Sequence, residues 1–246
     1  MKILRLRHPT KTHQQGLGLV EIMVALTISL LLLAGVMQVF LSNKASSDLQ
    51  NGLGRLQENA RAAMELMAKD ISMAGYSATT TPIAGIVVAN TLDNTTPNTD
   101  LGFTVAKETA SDVLEISYGS ATDCLGQASV AGVAVNRYYL DGTDLVCLGN
   151  GAVNPGLMAE GIENIQFLYG EDSDGDAIAN RYINADNIAA DPIVSIRISL
   201  LASTVEGSGT TDLSRYALLN IPLLGPFNDN LMRKVFTRTV ILRNTR

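Results

Sequence analysis

Hydrophobic and polar positions alternate in three different ways along the chain. From Leu17 to Leu41 the residues form a 25-residue apolar run, with one carboxylate, Glu21, in its first turn. At 1.5 Å rise per residue this is roughly 38 Å of helix, enough to cross a hydrocarbon core of about 30 Å. From Asn43 the composition turns polar but keeps a helical period. Leu49, Leu53, Leu56, Ala60, Ala63, Met67, Ile71 and Ala74 recur at spacings of three and four, an amphipathic stripe. Arg61 with Glu65, and Glu65 with Lys69, sit four apart on another face, each pair adding a few tenths of a kcal/mol. Gly52 and Gly54 cost about 1 kcal/mol each and mark a soft point. The pattern predicts one helix over about 17–75, ending near Gly75 with Pro82 beyond it. A one-sided stripe predicts that the second half packs on a domain; a plain stalk beside the membrane is the alternative.

After Tyr76 the period changes. Asp112 to Tyr118 alternates, with Leu114, Ile116 and Tyr118 on one face, and Tyr138 to Leu148 reads as a hairpin turning at Asp-Gly. Further strands are predicted at 162–169, 193–202 and 235–243. Stretches rich in Thr, Asn, Asp and Gly predict loops at 89–101, 170–191 and 206–212. The expected architecture is α+β, the second half of the helix packed on an antiparallel sheet. The corresponding divisions are 1–16, 17–42, 43–76 and 77–246.

Charge adds a direction to this picture. Residues 1–16 carry Lys2, Arg5, Arg7 and Lys11 and no acid, whereas the remaining chain is strongly acidic. Four cations before the apolar run and only Lys44 soon after it place residues 1–16 in the cytoplasm and the body across the membrane. A secretory signal has an apolar core of about 7–15 residues followed by a small-residue cleavage site, and this run is too long for that. An acidic body is poorly suited to neutralising nucleic-acid phosphates over a broad face, so no nucleic acid is expected as a partner. The exception is Arg233 to Arg246, with five basic residues and no acid. It reads as the solvated face of a last strand or, alternatively, as a small DNA-binding surface.

Candidate chemistry is sparse. Both histidines, His8 and His13, lie in the basic prefix, so the body has no imidazole for a triad, a His-containing zinc site or a general base. No carboxylate or lysine constellation replaces it, and the expectation is a non-enzyme. Cys124 and Cys147 are the only cysteines. In a body outside the cytoplasm they form a disulfide closing a loop of about 24 residues, stabilising by roughly 3 kcal/mol in the chain-entropy model. In a reducing compartment they are two thiols. The stretch EDSDGDAIAN places Asp172, Asp174 and Asp176 at alternate positions, the spacing of the first three ligands of a helix–loop–helix Ca²⁺ loop, with Asn180 at the ninth position. Ala177 stands where that loop has Gly and Ile183 where it has Glu, so a solvated Asp-Gly turn is the competing reading.

A carboxylate inside a membrane helix costs roughly 2.5–3.5 kcal/mol even on lenient insertion scales, and anchoring alone does not require Glu21. The stretch GLGLVEIMVALTISLLLLAG resembles the N-terminus of type IV prepilins and type II secretion pseudopilins: a basic leader ending in Gly, then an apolar segment with Glu at the fifth mature position. Phe and Thr or Ser are common at the first and second mature positions, where this chain has Leu17 and Gly18. The resemblance implies cleavage after Gly16 by a prepilin peptidase and methylation of the new amine on Leu17. It also supplies a role for Glu21, whose carboxylate would pair with the Leu17 amine of a neighbouring subunit and offset the burial of both. A Glu that merely snorkels to the interface is the alternative.

The segment LQENARAAMELMAKDISMAGY, Leu56 to Tyr76, is similar to the helix end of PilW-type minor pilins. Tyr169-Gly170 before an Asp-rich loop and the closing VILRN, Val240 to Asn244, fit the same pattern. That resemblance implies a type IV pilin-like fold and a structural subunit that helps prime pilus assembly at or near the tip. Its implied partners are other minor pilins, the major pilin, the prepilin peptidase and, before assembly, the inner membrane. A J-type pseudopilin of type II secretion is the nearest competitor, and a pilus-tip adhesin or DNA-binding module a further one. No cofactor is expected apart from Ca²⁺ at the Asp loop.

Overall fold

The computed structural model describes residues 18–77, 83, 85–87, 111–188, 191–207 and 213–244. The expected leader with Gly16 and Leu17, and the expected loop 89–101, lie outside the described residues. The chain divides into two compact units, Met1–Ser47 and Asp48–Arg246. Helix α1 spans Leu19–Met73.

In the first unit α1 carries its apolar side chains on the outside all round, from Leu19 and Val20 to Phe40 and Leu41. By length and composition it is a helix able to cross a membrane, and a helix hydrophobic on every side needs either lipid or other helices around it.

In the second unit the predicted stripe becomes a packed face. Leu56, Ala60, Ala63, Met67, Ile71 and Ala74 are buried in the main core, and Leu49 and Leu53 are half-buried. Packing on a domain therefore replaces the stalk alternative. The helix ends where predicted: Gly75 takes a left-handed φ of 75° and its N–H donates to Ser117 O. An added Cβ at Gly75 would lie 3.0 Å from Asn244 O. The Asn244 side chain also lies over this end, its Nδ2 3.4–3.5 Å from the carbonyl oxygens of Ser72, Met73 and Ala74.

Two antiparallel sheets carry the rest. In the first, β1 (Ile86–Val87), β2 (Leu114–Gly119), β3 (Val133–Asp141), β4 (Asp144–Gly149) and β5 (Gly156–Glu160) pair in chain order. The predicted hairpin is β3–β4, with Asp141 opposite Asp144 and Gly142 at φ 65°. The second sheet contains β6 (Ile162–Glu171), β7 (Arg181–Ile183), β8 (Ile193–Ser203) and β9 (Arg233–Ile241), in the order β7-β6-β8-β9. The predicted strands at 162–169, 193–202 and 235–243 match β6, β8 and β9, whereas β7 lies inside the predicted loop 170–191. Strands β1 and β5 were not predicted.

Side chains alternate across β8, so Leu200 joins the core beneath α1 and Leu201 faces the other way. There Leu201 meets Leu218, Leu224, Phe227 and Val235 in a second, smaller cluster. The inner strands of the second sheet are thus covered on both faces, and the polar side chains of Asn164, Gln166, Ser195 and Ser199 are buried along with their apolar neighbours.

Candidate functional site

Glu21 is an exposed residue in the first turn of α1, its N–H donating to Gly18 O at 3.0 Å. The processing residues Gly16 and Leu17 lie outside the described residues. Cys124 and Cys147 are joined as a disulfide with Cα atoms 6.6 Å apart. Cys147 is fully buried on β4 and Cys124 sits in the loop before β3.

The Asp-rich loop follows β6. Asp172, Asp174 and Asp176 each offer an oxygen within 4.8 Å of the others. Asp172 is buried and accepts backbone N–H bonds from Gly175 at 2.7 Å, Ala177 at 2.8 Å and Asp174 at 3.3 Å. Burial opposes its charge, but the Ala177 and Gly175 bonds outweigh that and hold its pKa below the ordinary carboxylate range. Asn180 Oδ1 accepts from Ser173 N, and its Nδ2 donates to Asp174. The three carboxylates converge as a Ca²⁺ loop requires, while much of their acceptor capacity is already used within the loop.

Ala177 has φ 69°, the left-handed conformation natural to glycine at that position. Ala177→Gly is therefore expected to stabilise the protein by roughly 0.5 kcal/mol, relief of the left-handed strain exceeding the entropy cost of glycine. Comparing thermal unfolding of the two chains checks it.

Two polar clusters escaped the sequence reading. In the first, Asp70 lies on the buried face of α1, between Met67 and Ala74 in the stripe. Its Oδ1 accepts from Tyr118 OH at 3.1 Å, and its Oδ2 from Tyr138 OH at 2.7 Å and Asn136 Nδ2 at 2.6 Å. Asn136 is fully buried, and its Oδ1 accepts from Cys124 N at 2.9 Å. Burial, and then the Asp70 charge, push both phenols above the ordinary tyrosine range, so both remain protonated donors.

The second cluster corrects the reading of the C-terminal basic run. Lys234, Arg238 and Arg243 are exposed as expected, but Arg233 is buried. Its guanidinium grips Glu163 at 2.6 and 2.8 Å and Asp229 at 2.7 and 2.6 Å, and lies 3.9 Å from the centroid of the Phe227 ring. Burial disfavours the Arg233 charge, but the two carboxylates outweigh it and raise its pKa. The Arg233 bond brings the Asp229 carboxyl down to about 2. A carboxylate lowered on folding stabilises the native state above its unfolded pKa, near 4, and loses that contribution as pH falls through its folded value. Stability is accordingly expected to decline between about pH 4 and pH 2, less steeply in Asp229→Asn; urea unfolding across that range measures the difference.

The second unit carries structural locks around its sheets, and the first is an apolar helix with a carboxylate in its first turn. Such a helix and sheet define the class, a type IV pilin-like protein. The family description "Type IV Pilus-assembly protein W" matches residues 129–244, and "Prokaryotic N-terminal methylation motif" matches residues 11–37. These two matches support a PilW-type minor pilin. No curated protein matches it. Among solved structures it is similar to a type IV-like pilin from Thermus thermophilus at 17% identity and a TM-score of 0.45, covering 78% of this chain and 97% of that one. It is also similar to a chain of the GspK–GspI–GspJ complex of the type 2 secretion system of enterotoxigenic Escherichia coli. There the identity is 9% and the TM-score 0.34, with 74% of this chain and 96% of that one covered.

Proposed function

We propose that the chain is a minor pilin, a non-enzymatic subunit that helps prime type IV pilus assembly and is incorporated at or near the tip. The observation that carries this reading is the N-terminal methylation motif at 11–37 leading into a helix whose apolar side chains are exposed all round. Before assembly the subunit sits in the inner membrane with its N-terminus in the cytoplasm and its body in the periplasm. The prepilin peptidase cuts after Gly16 and methylates Leu17. Apolar helices then pack side by side, and Glu21 fixes their register by pairing with a neighbour's amine.

The test is capture of the full chain from solubilised membranes, with mass determination of the mature subunit and identification of co-purifying proteins. Mature chain beginning at Leu17, in complex with other pilins, supports the proposal. A complex with secretion-system subunits, together with loss of export but not of pili on deletion, assigns it to the pseudopilins instead. Calcium at the Asp172 loop requires a rise in melting temperature on adding Ca²⁺ that is lost in Asp174→Asn. An unchanged melting temperature leaves the loop as a hydrogen-bonded turn.

A further inference from the structure

We infer that the Cys124–Cys147 disulfide is a redox-sensitive latch on the C-terminal end of α1, acting through Asn136 and Asp70. Three observations carry it. The disulfide ties the loop holding Cys124 to β4, where Cys147 stands directly opposite Tyr138 of β3. The Cys124 N–H then donates to Asn136 Oδ1, and Asn136 Nδ2 donates in turn to Asp70 on the helix. Finally, Cys124 lines a cleft of about 340 Å³ together with Asp70, Tyr118, Tyr138 and Met158, so a reductant can approach the disulfide from the side where the helix is held.

The Asn136 amide cannot serve this site in the reverse orientation. Its oxygen would face the Asp70 carboxylate, and its NH₂ would face the Cys124 N–H. The Cys124 N–H and the Asp70 carboxylate therefore hold the amide from its two ends, and the amide supplies one of the three donors to a buried carboxylate. A small dithiol supplies the electrons. One of its thiolates attacks Sγ of Cys124, and Cys147 leaves as a thiolate that takes up a proton. The second thiol then attacks the mixed disulfide, releasing Cys124 as a thiol and the reductant as a cyclic disulfide. With the covalent tie gone, the Cys124 loop is held to the segment after β4 by hydrogen bonds such as Gly151 N–H to Asp123 Oδ2, and its own N–H can withdraw. Asn136 Oδ1 then loses its donor, which loosens the amide whose Nδ2 donates to Asp70 and to Tyr118 OH.

The inference is independent of which assembly the subunit enters. Its test is hydrogen–deuterium exchange on the full chain in detergent micelles, oxidised and then reduced with dithiothreitol. Reduction should raise exchange at least tenfold over Met67–Ala74, leave β6 and β8 protected, and reverse on reoxidation. In Asn136→Ser the same segment should already exchange fast and respond less than twofold to reduction, because the relay is broken before the disulfide is. Unchanged exchange at Met67–Ala74 on reduction overturns the inference, as does an equal rise across β6 and β8. Should Asn136→Ser fail to fold, the wild-type comparison decides alone.

Discussion

Glu21→Ala is expected to be cleaved and methylated like the wild-type chain yet be absent from assembled fibres. The resemblance implies a cleaved bond between Gly16 and Leu17, several residues before Glu21, so removing the Glu21 side chain leaves the peptidase its substrate. What is lost is a counter-charge. On the proposed reading, cleavage would create a positive amine at Leu17, and lateral packing would bury it among the apolar side chains that cover the first unit. Removing one partner of a buried ion pair costs about 3–5 kcal/mol, which corresponds to incorporation falling by roughly a hundredfold or more. Glu21→Gln should fail almost as completely, since it keeps the length and loses the charge. Mass spectrometry of the membrane fraction reports processing, and immunoblotting of sheared fibres reports incorporation. Wild-type levels of the alanine variant in fibres would show that the carboxylate has no assembly role.

Arg233→Ala should be the most destabilising single change at a charged residue of the second unit. The guanidinium makes paired bonds to both Glu163 and Asp229 and stacks on Phe227. Its side chain is 3% exposed and that of Glu163 is 14% exposed. Truncation leaves Glu163 facing a cavity without its counter-charge, an outcome that costs about 3–5 kcal/mol. For a domain of this size that corresponds to a melting temperature lower by roughly 10 °C. Arg233→Lys should recover only part of the loss, because an ammonium cannot bond two carboxylates in a planar fork. The effect should concentrate in the segment that builds the smaller core, since Asp229 and Phe227 both belong to it. Limited proteolysis between Tyr216 and Asn230 reads this directly. Full resistance of the alanine variant would mean that apolar packing at Leu218 and Leu224 holds the segment alone.

What could be read in the sequence was whatever repeats locally. The stripe from Leu56 to Ala74 announced a helix face, and the alternation of Val194, Ile196, Ile198 and Leu200 announced a strand, because helical and strand periods are properties of near neighbours. Strand β7 was missed for a physical reason: three residues at a sheet edge, in a segment rich in Asp and Asn, carry no period. The polar clusters were illegible on other grounds. Asp70 and Asn136 are 66 residues apart and Glu163 and Arg233 are 70 apart, and nothing in a single sequence announces such pairings. Asp70 left a trace, an acid at a position that should have been apolar. Arg233 left none, since it heads a basic run that is otherwise solvated. The Asp loop lies between these cases: its spacing was legible, and the left-handed backbone at Ala177 was not.

The meeting of Asn244 with the end of α1 also carries a message about time. The helix is made before the strands of the second unit, whereas the side chain lying over its final carbonyls is made about 170 residues later. Strand β9, which completes the second sheet, arrives just before it. Until those residues emerge, the helix end and the exposed edge of β8 both lack their partners, so the second unit cannot close before they are made. A chaperone present at that moment would meet an amphipathic helix and an open sheet edge together. A nascent chain arrested before Arg233 should therefore remain protease-sensitive throughout the second unit.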